Sequence, residues 1–228
     1  MICVCISPLL ISGHFDEKVY RIRFGIVLDM GRKIIGLLGS PLAEGNTAKL
    51  LEKALQGARD AGCETETIVV ANLDFQACME MMFCREHETC IMDDDMQPMY
   101  GKFKEMDSLI LATPVMTMGI PGMLKSFMDR FQVFFNAKYV RKAPFITKEQ
   151  KKNRRGLFIC ISGMNVAGVF SGAKKTVEAF FDIIDCQYWD ELLINDMDTI
   201  RDISVHPELL DAAYRKGFAL GELVRKSG

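Results

Sequence analysis

Lys33-Ile34-Ile35-Gly36-Leu37-Leu38-Gly39-Ser40-Pro41-Leu42-Ala43-Glu44-Gly45-Asn46-Thr47 is the stretch that decides the fold. Residues 33–39 are a short apolar run closed by Gly and Ser, the pattern of a strand buried on both faces. Gly45, Asn46 and Thr47 then open a helix, whose apolar positions Leu50, Leu51, Ala54, Leu55 and Ala58 form one stripe. Gly62 ends it. A buried strand feeding an amphipathic helix starts a βα unit, and the chain repeats that unit downstream. Strands are predicted over 64–70, 108–112, 157–162 and 188–194. Helices are predicted over 96 to about 105, from Pro121 through Arg130 into Phe134, over 170–184 and over 208–226. Five alternations predict an α/β fold, a five-stranded parallel sheet with helices on both faces. In such sheets ligands bind beyond the carboxyl ends of the strands, near the point where strand order reverses.

The composition of the 228 residues narrows the classes. Lys plus Arg is 28 and Asp plus Glu is 30, a net charge of −2. That balance argues against a nucleic-acid binder, whose domain is usually basic. No apolar run reaches the roughly 18 residues of a membrane span. Eight cysteines at this length, with a full apolar complement, need no disulfide framework. Cys63, Cys160 and Cys186 read as small buried hydrophobes. Three others (Cys78, Cys84, Cys90) sit among six methionines (Met79, Met81, Met82, Met92, Met96, Met99). Such a segment suits a reducing, cytoplasmic compartment. Residues 1–29 lack a basic n-region and a cleavage site. They are expected to be an extension outside the fold, with residues 30–228 forming the domain.

Two loops carry the chemistry. In the first, Ser40 and Thr47 offer hydroxyls, Asn46 an amide and Gly45 close backbone approach, all at a helix N-terminus. Neither a Walker A loop nor Gly-x-Gly-x-x-Gly is present, and no Lys or Arg lies within the loop. The set suits a phosphate held by neutral donors. It equally suits a capped helix. The second is Thr113-Pro114-Val115-Met116-Thr117-Met118-Gly119, where Pro and Gly force a shaped loop. Its hydroxyls and the N–H groups of residues 115–119 are placed to meet a polar ring edge. Phe127, Phe131, Phe134 and Phe135 read as core or subunit interface.

Gly39-Ser40-Pro41 with Gly45-Asn46-Thr47, then Thr113-Pro114-Val115, then Pro121-Gly122-x-Leu124-Lys125-x-Phe127-x-Asp129-Arg130 resemble the flavodoxin-like NAD(P)H-dependent FMN reductases. The iron–sulfur flavoprotein branch is most similar, and the resemblance spans about Lys33 to Lys226. It implies a flavodoxin-like fold and bound FMN. The phosphate would lie at Ser40, Leu42, Gly45, Asn46 and Thr47. The ring system would lie at Thr113 to Gly119 and Gly163. Leu42 and Met116 stand where the family often has a basic residue and a Tyr. The resemblance also implies homodimers or homotetramers, NAD(P)H or ferredoxin as electron donor, and a small acceptor such as a quinone or flavin. No catalytic side chain is needed.

That branch carries Cys-x-x-Cys-x-x-Cys and a fourth Cys before Asp-Asp-Met. Here the run is Cys78-x-x-Met81-x-x-Cys84, then Cys90 and Asp94-Asp95-Met96. A [4Fe-4S] cluster is normally held by four thiolates, and Met81 replaces one. The favoured expectation is a Met-rich packing loop without metal. A three-thiolate cluster on Cys78, Cys84 and Cys90, or zinc on those three and His87, are the alternatives. Asp93–Asp95 reads as a helix start rather than a metal site.

Overall fold

The computed structural model describes residues 31–227. The expected extension at residues 1–29 lies outside them. Five strands form one sheet: β1 (Lys33–Leu38), β2 (Glu64–Val69), β3 (Ser108–Pro114), β4 (Arg155–Ile161) and β5 (Gln187–Ile194). Their order is β2-β1-β3-β4-β5 and every adjacent pair is parallel. Strand order therefore reverses between β1 and β3, as in flavodoxin-like sheets.

The helices are α1 (Asn46–Asp60), α2 (Met96–Glu105), α3 (Gly122–Asp129), α4 (Gln132–Phe135), α5 (Lys148–Asn153), α6 (Ser171–Ile183), α7 (Met197–Ile200) and α8 (Pro207–Lys226). The sheet buries two faces, and its strands alternate between them. Ile34, Leu38, Ile110, Ala112, Leu157 and Ile159 pack under α1 and α8. Ile35, Leu37, Leu109, Leu111, Phe158 and Cys160 pack under α2, α3 and α6. Because both sets are apolar, the central strands read as continuous hydrophobic runs. α1 and α8 cross backbone to backbone. A Cβ on Gly217 would sit 1.8 Å from the Ala54 carbonyl oxygen, and one on Gly57 would sit 2.2 Å from that of Tyr214.

The helix expected from Pro121 into Phe134 is broken. α3 ends at Asp129, α4 begins at Gln132, and a wide turn of π-helix follows over Asn136–Val140. The Tyr100 hydroxyl donates to the Arg130 carbonyl at 3.2 Å, a partner from outside the helix at the break. The break turns Phe131 and Phe134 into one aromatic cluster with Phe103 and Phe127. Those two and Phe127 are fully buried, whereas Phe135 is 37% exposed beside Tyr139. Cys63, Cys160 and Cys186 are buried as expected. Burial pushes the Cys160 and Cys186 thiols up to about 12, so both are inert at neutral pH.

Candidate functional site

Parallel strands deliver their following loops to one edge. The Gly39 N–H donates to the Ala112 carbonyl at 2.8 Å, Val115 N–H to Ile161 at 2.8 Å, and Ser162 N–H to Ile194 at 2.8 Å. The loops after β1, β3, β4 and β5 thus start side by side, and the first two straddle the reversal of strand order. This places Ser40 to Thr47 beside Thr113 to Gly119, with Gly163 next in line.

In the first loop, Ser40 and Thr47 are buried and Leu42 is exposed. Ser40 Oγ accepts from the Leu42 N–H at 3.2 Å, which leaves its own hydroxyl proton to donate. The N-cap is Gly45, with no side-chain cap bond. The expected capping by Asn46 and Thr47 is therefore corrected. Asn46 instead reaches across the edge. Its Nδ2 donates to the Arg201 carbonyl at 2.7 Å, and its Oδ1 accepts from the Ile203 N–H at 3.1 Å. A phosphate at this loop would meet the first-turn N–H groups of α1 rather than the Asn46 amide.

The loop itself holds no basic residue, and the fold brings the backbone of a distant one to it. Arg201 lies in the segment that Asn46 clamps, is exposed, and adopts the left-handed region at φ 61°. Lys49 is not available in the same way. Its Nζ is held by Asp202 at 2.8 Å and by Ser204 at 2.7 Å. The Lys49 ammonium, with help from Ser204, holds the Asp202 carboxyl down at about 2.

The second loop is a tight turn. Met116 and Gly119 exchange N–H···O bonds of 3.0 and 2.9 Å. Between them, Thr117 and Met118 both have positive φ, 50° and 59°. Turns of this hand normally carry Asn-Gly, so Thr-Met here is strained backbone. The turn corrects the expectation that all N–H groups of 115–119 face a ligand. Those of Val115, Met116 and Gly119 are used within the protein, and only Thr117 and Met118 keep theirs at the tip. The Met118 carbonyl rests on α6, where a Cβ on Gly172 would come within 2.3 Å of it. Thr113 is fully buried, and its hydroxyl donates to the Pro114 carbonyl at 3.1 Å.

Gly163 packs against a carboxylate that sequence reading did not single out. A Cβ there would lie 2.6 Å from Asp198 Oδ1. The Asp198 N–H also donates to the Gly163 carbonyl at 3.2 Å.

Cys78, Cys84 and Cys90 line one cavity of about 400 Å³, together with Met81, Met82 and Met92. Asn136 Nδ2 donates to Cys84 Sγ at 3.1 Å, and Arg130 Nη2 to Cys90 Sγ at 3.5 Å. Arg130 has a fully buried side chain and forms a two-point ion pair with Asp94. It also donates to the Gln76 carbonyl at 2.7 Å. Burial would raise the Asp94 carboxyl, but the Arg130 guanidinium and the Met96 N–H outweigh it and hold it below the usual range. Asp95 accepts from the Asp74 N–H at 2.7 Å. The Asp run thus fastens this segment to α3 as well as starting α2, a role the sequence pattern did not disclose.

His87 turns away from the cavity and stacks on Phe83, with ring centroids 3.8 Å apart. The alternative zinc set of three Cys and His87 is therefore not assembled. Among the described residues, no three Cys, His, Asp or Glu side chains converge on a single-ion site. Three thiols and the Met81 thioether do not fit a four-thiolate cluster.

Comparison with known proteins places the chain and its fold. The family model described as NADPH-dependent FMN reductase matches residues 32–186. The chain is 31% identical over 150 residues to an iron-sulfur flavoprotein of Methanosarcina thermophila, covering 66% of this chain and 71% of that one. It is 40% identical over 98 residues to an iron-sulfur flavoprotein of Methanocaldococcus jannaschii, covering 43% and 51%. The chain thus spans about half of that second relative. Among solved structures, an NAD(P)H:quinone oxidoreductase from Methanothermobacter marburgensis superposes with TM-score 0.60 at 17% identity, over 83% of this chain and 97% of that one. An FMN-dependent NADH-azoreductase of Bacillus anthracis, in complex with FMN, superposes with TM-score 0.58 at 16% identity, over 85% and 100%. At these identities the two structures speak for the fold.

Proposed function

We propose, for a chain that belongs to the NADPH-dependent FMN reductase family, that it binds FMN across the carboxyl ends of β1, β3 and β4 and passes electrons from NAD(P)H to a small acceptor such as a quinone or a free flavin. Family membership makes it an oxidoreductase. One observation carries the finer reading. The first turn of α1, with its unpaired N–H groups, and the tip of the 116–119 turn stand on either side of the strand-order reversal.

In this reading the first-turn N–H groups of α1 and the Ser40 and Thr47 hydroxyls hold the phosphate. Asn46 and Gly45 set the entry of the helix, and Leu42 covers the loop from outside. Thr113, Pro114 and Val115 carry the second loop to the ring system. Met116 and Gly119 close its turn, so that the Thr117 and Met118 N–H groups point at the ring edge. There they stabilise negative charge that develops on reduction. Gly163, packed on Asp198, brings the loop after β4 up to the ring on the far side. Bound FMN supplies the hydride and electron chemistry, and the protein supplies binding, orientation and polarity. No side chain is required as acid or base.

The test is an absorbance spectrum of the wild type and of Asn46→Asp combined with Thr47→Glu, both loaded with FMN. The wild type should show flavin bands near about 375 and 450 nm. The double variant, which puts a carboxylate in place of the Thr47 hydroxyl and breaks the Asn46 clamp on 201–203, should lose them on gel filtration. Full flavin retention by the variant would refute the assignment of the loop. Rapid mixing with NADH and NADPH then identifies the donor. Reduction by ferredoxin alone would make the protein an electron carrier instead.

A further inference from the structure

We propose that the cavity of Cys78, Cys84 and Cys90 is a four-iron cluster cradle disarmed at one position, so that Met81→Cys alone equips it to take up a [4Fe-4S] cluster that the natural chain does not hold. The relatives named iron-sulfur flavoproteins raise the question, and residues of this chain answer it.

Residues 78, 81 and 84 have the spacing of the first three ligands in a common four-iron run. Position 81 lines the same cavity as the three thiols. Two of the three sulfurs already receive N–H donors from buried side chains outside the segment, Asn136 and Arg130. Donors aimed at sulfur stabilise the charge of a thiolate and are one lever by which proteins tune clusters. The backbone agrees. Glu80 and Met82 hold positive φ of 50° and 57° on either side of Met81. Such strain persists where the surroundings fix it, and the stretch is held at both ends, by Arg130 on the Gln76 carbonyl and by Arg141 on the Cys84 carbonyl.

What is missing is charge at one ligand. A thioether carries none, so a cubane seated here would keep one iron on a weak neutral donor exposed to water. Met81 is 60% exposed, so Cys in its place costs little packing. The natural chain then has one redox centre, the flavin, and exchanges electrons without a cluster relay.

Wild type and Met81→Cys are purified without oxygen, incubated with ferrous iron and sulfide, desalted, and assayed for iron, acid-labile sulfide and FMN. The expected result is well under one iron in the wild type and about four irons with about four sulfides in the variant. The variant should gain a broad band near 400 nm, and Cys84→Ser added to it should abolish that band. A wild type that retains a cluster overturns the proposal. So does a Met81→Cys chain that keeps its native circular dichroism and stays free of iron. FMN content is read separately, so failure of the flavin assignment leaves this result standing.

Discussion

The two edges of the sheet are built to opposite rules. At the amino edge every exposed end is tied. Asp107 accepts from the Lys33 N–H at 2.8 Å and pairs with Arg32 at 3.0 Å. Ser108 Oγ accepts from the Arg155 N–H. Arg154, fully buried, donates to four carbonyls: Phe103 at 3.1 Å, Lys104 at 3.0 Å, Met106 at 2.7 Å and Ile184 at 3.2 Å. It joins the ends of α2 and α6, where carbonyls are unpaired and the helix dipole is negative. At the carboxyl edge, N–H groups are left open, and Thr117, Met118, Asp196 and Arg201 sit in left-handed backbone without being glycine. The difference teaches where stability and function are kept. Side chains that donate to and accept from the strand and helix ends anchor one edge, and the open N–H groups of the other are what a ligand can use.

The strongest way to break this contrast is Arg154→Met. It leaves four carbonyls short of a donor and should cost about 4 kcal/mol in urea unfolding, with FMN affinity of the folded protein unchanged. An affinity loss would mean the two edges are coupled. Next comes Asp94→Asn, which strips the buried Arg130 of its counter-charge at the cysteine segment. It should cost about 3 kcal/mol. Its pH signature has a definite sign. The folded Asp94 pKa lies below the 3.8 of a free carboxyl. Its contribution is complete above that value and lost as pH falls through the lower folded one. The variant should lack that part of the acid limb when stability is measured from pH 7 to pH 3.

Replacing Thr117 by Asn and Met118 by Gly sharpens the contrast from the other side. The turn then carries residues suited to its hand and should gain about 1–2 kcal/mol, read as a higher Tm of the apoprotein. No gain would remove the strain argument. The smallest effect is expected for Arg201→Ala. It should weaken FMN about fivefold, about 1 kcal/mol, while riboflavin, which lacks the phosphate, binds as before. Equal loss for both would place Arg201 away from the phosphate.

Much of this was legible in the residues. The strand over Lys33–Leu38, the stripe of α1, and α2 over Met96–Glu105 follow from local period and length. The details of the site were harder. Asn46 reads as a donor to a ligand, yet it binds Arg201 and Ile203. Residues 115–119 read as a row of free N–H groups, yet a turn consumes most of them. His87 reads as a ligand only in the alternative zinc set, and it stacks on Phe83. In each case the residue type stated what a group can bond, and another partner took it, across the chain for Asn46 and largely within a few residues for 115–119 and His87.

The sequence by itself determined the class of fold, because apolar periodicity is a local property and a parallel sheet covered on both faces is what these periods can bury. It also determined that a thioether stands at position 81, because ligand chemistry belongs to the residue. Only the tertiary structure decided which polar atoms are spent and which remain. The Arg130–Asp94 pair, the Asn46 clamp on 201–203 and the four carbonyls around Arg154 join residues 30 to 157 positions apart. Their geometry is set by strand order and helix crossing, and no local pattern carries it.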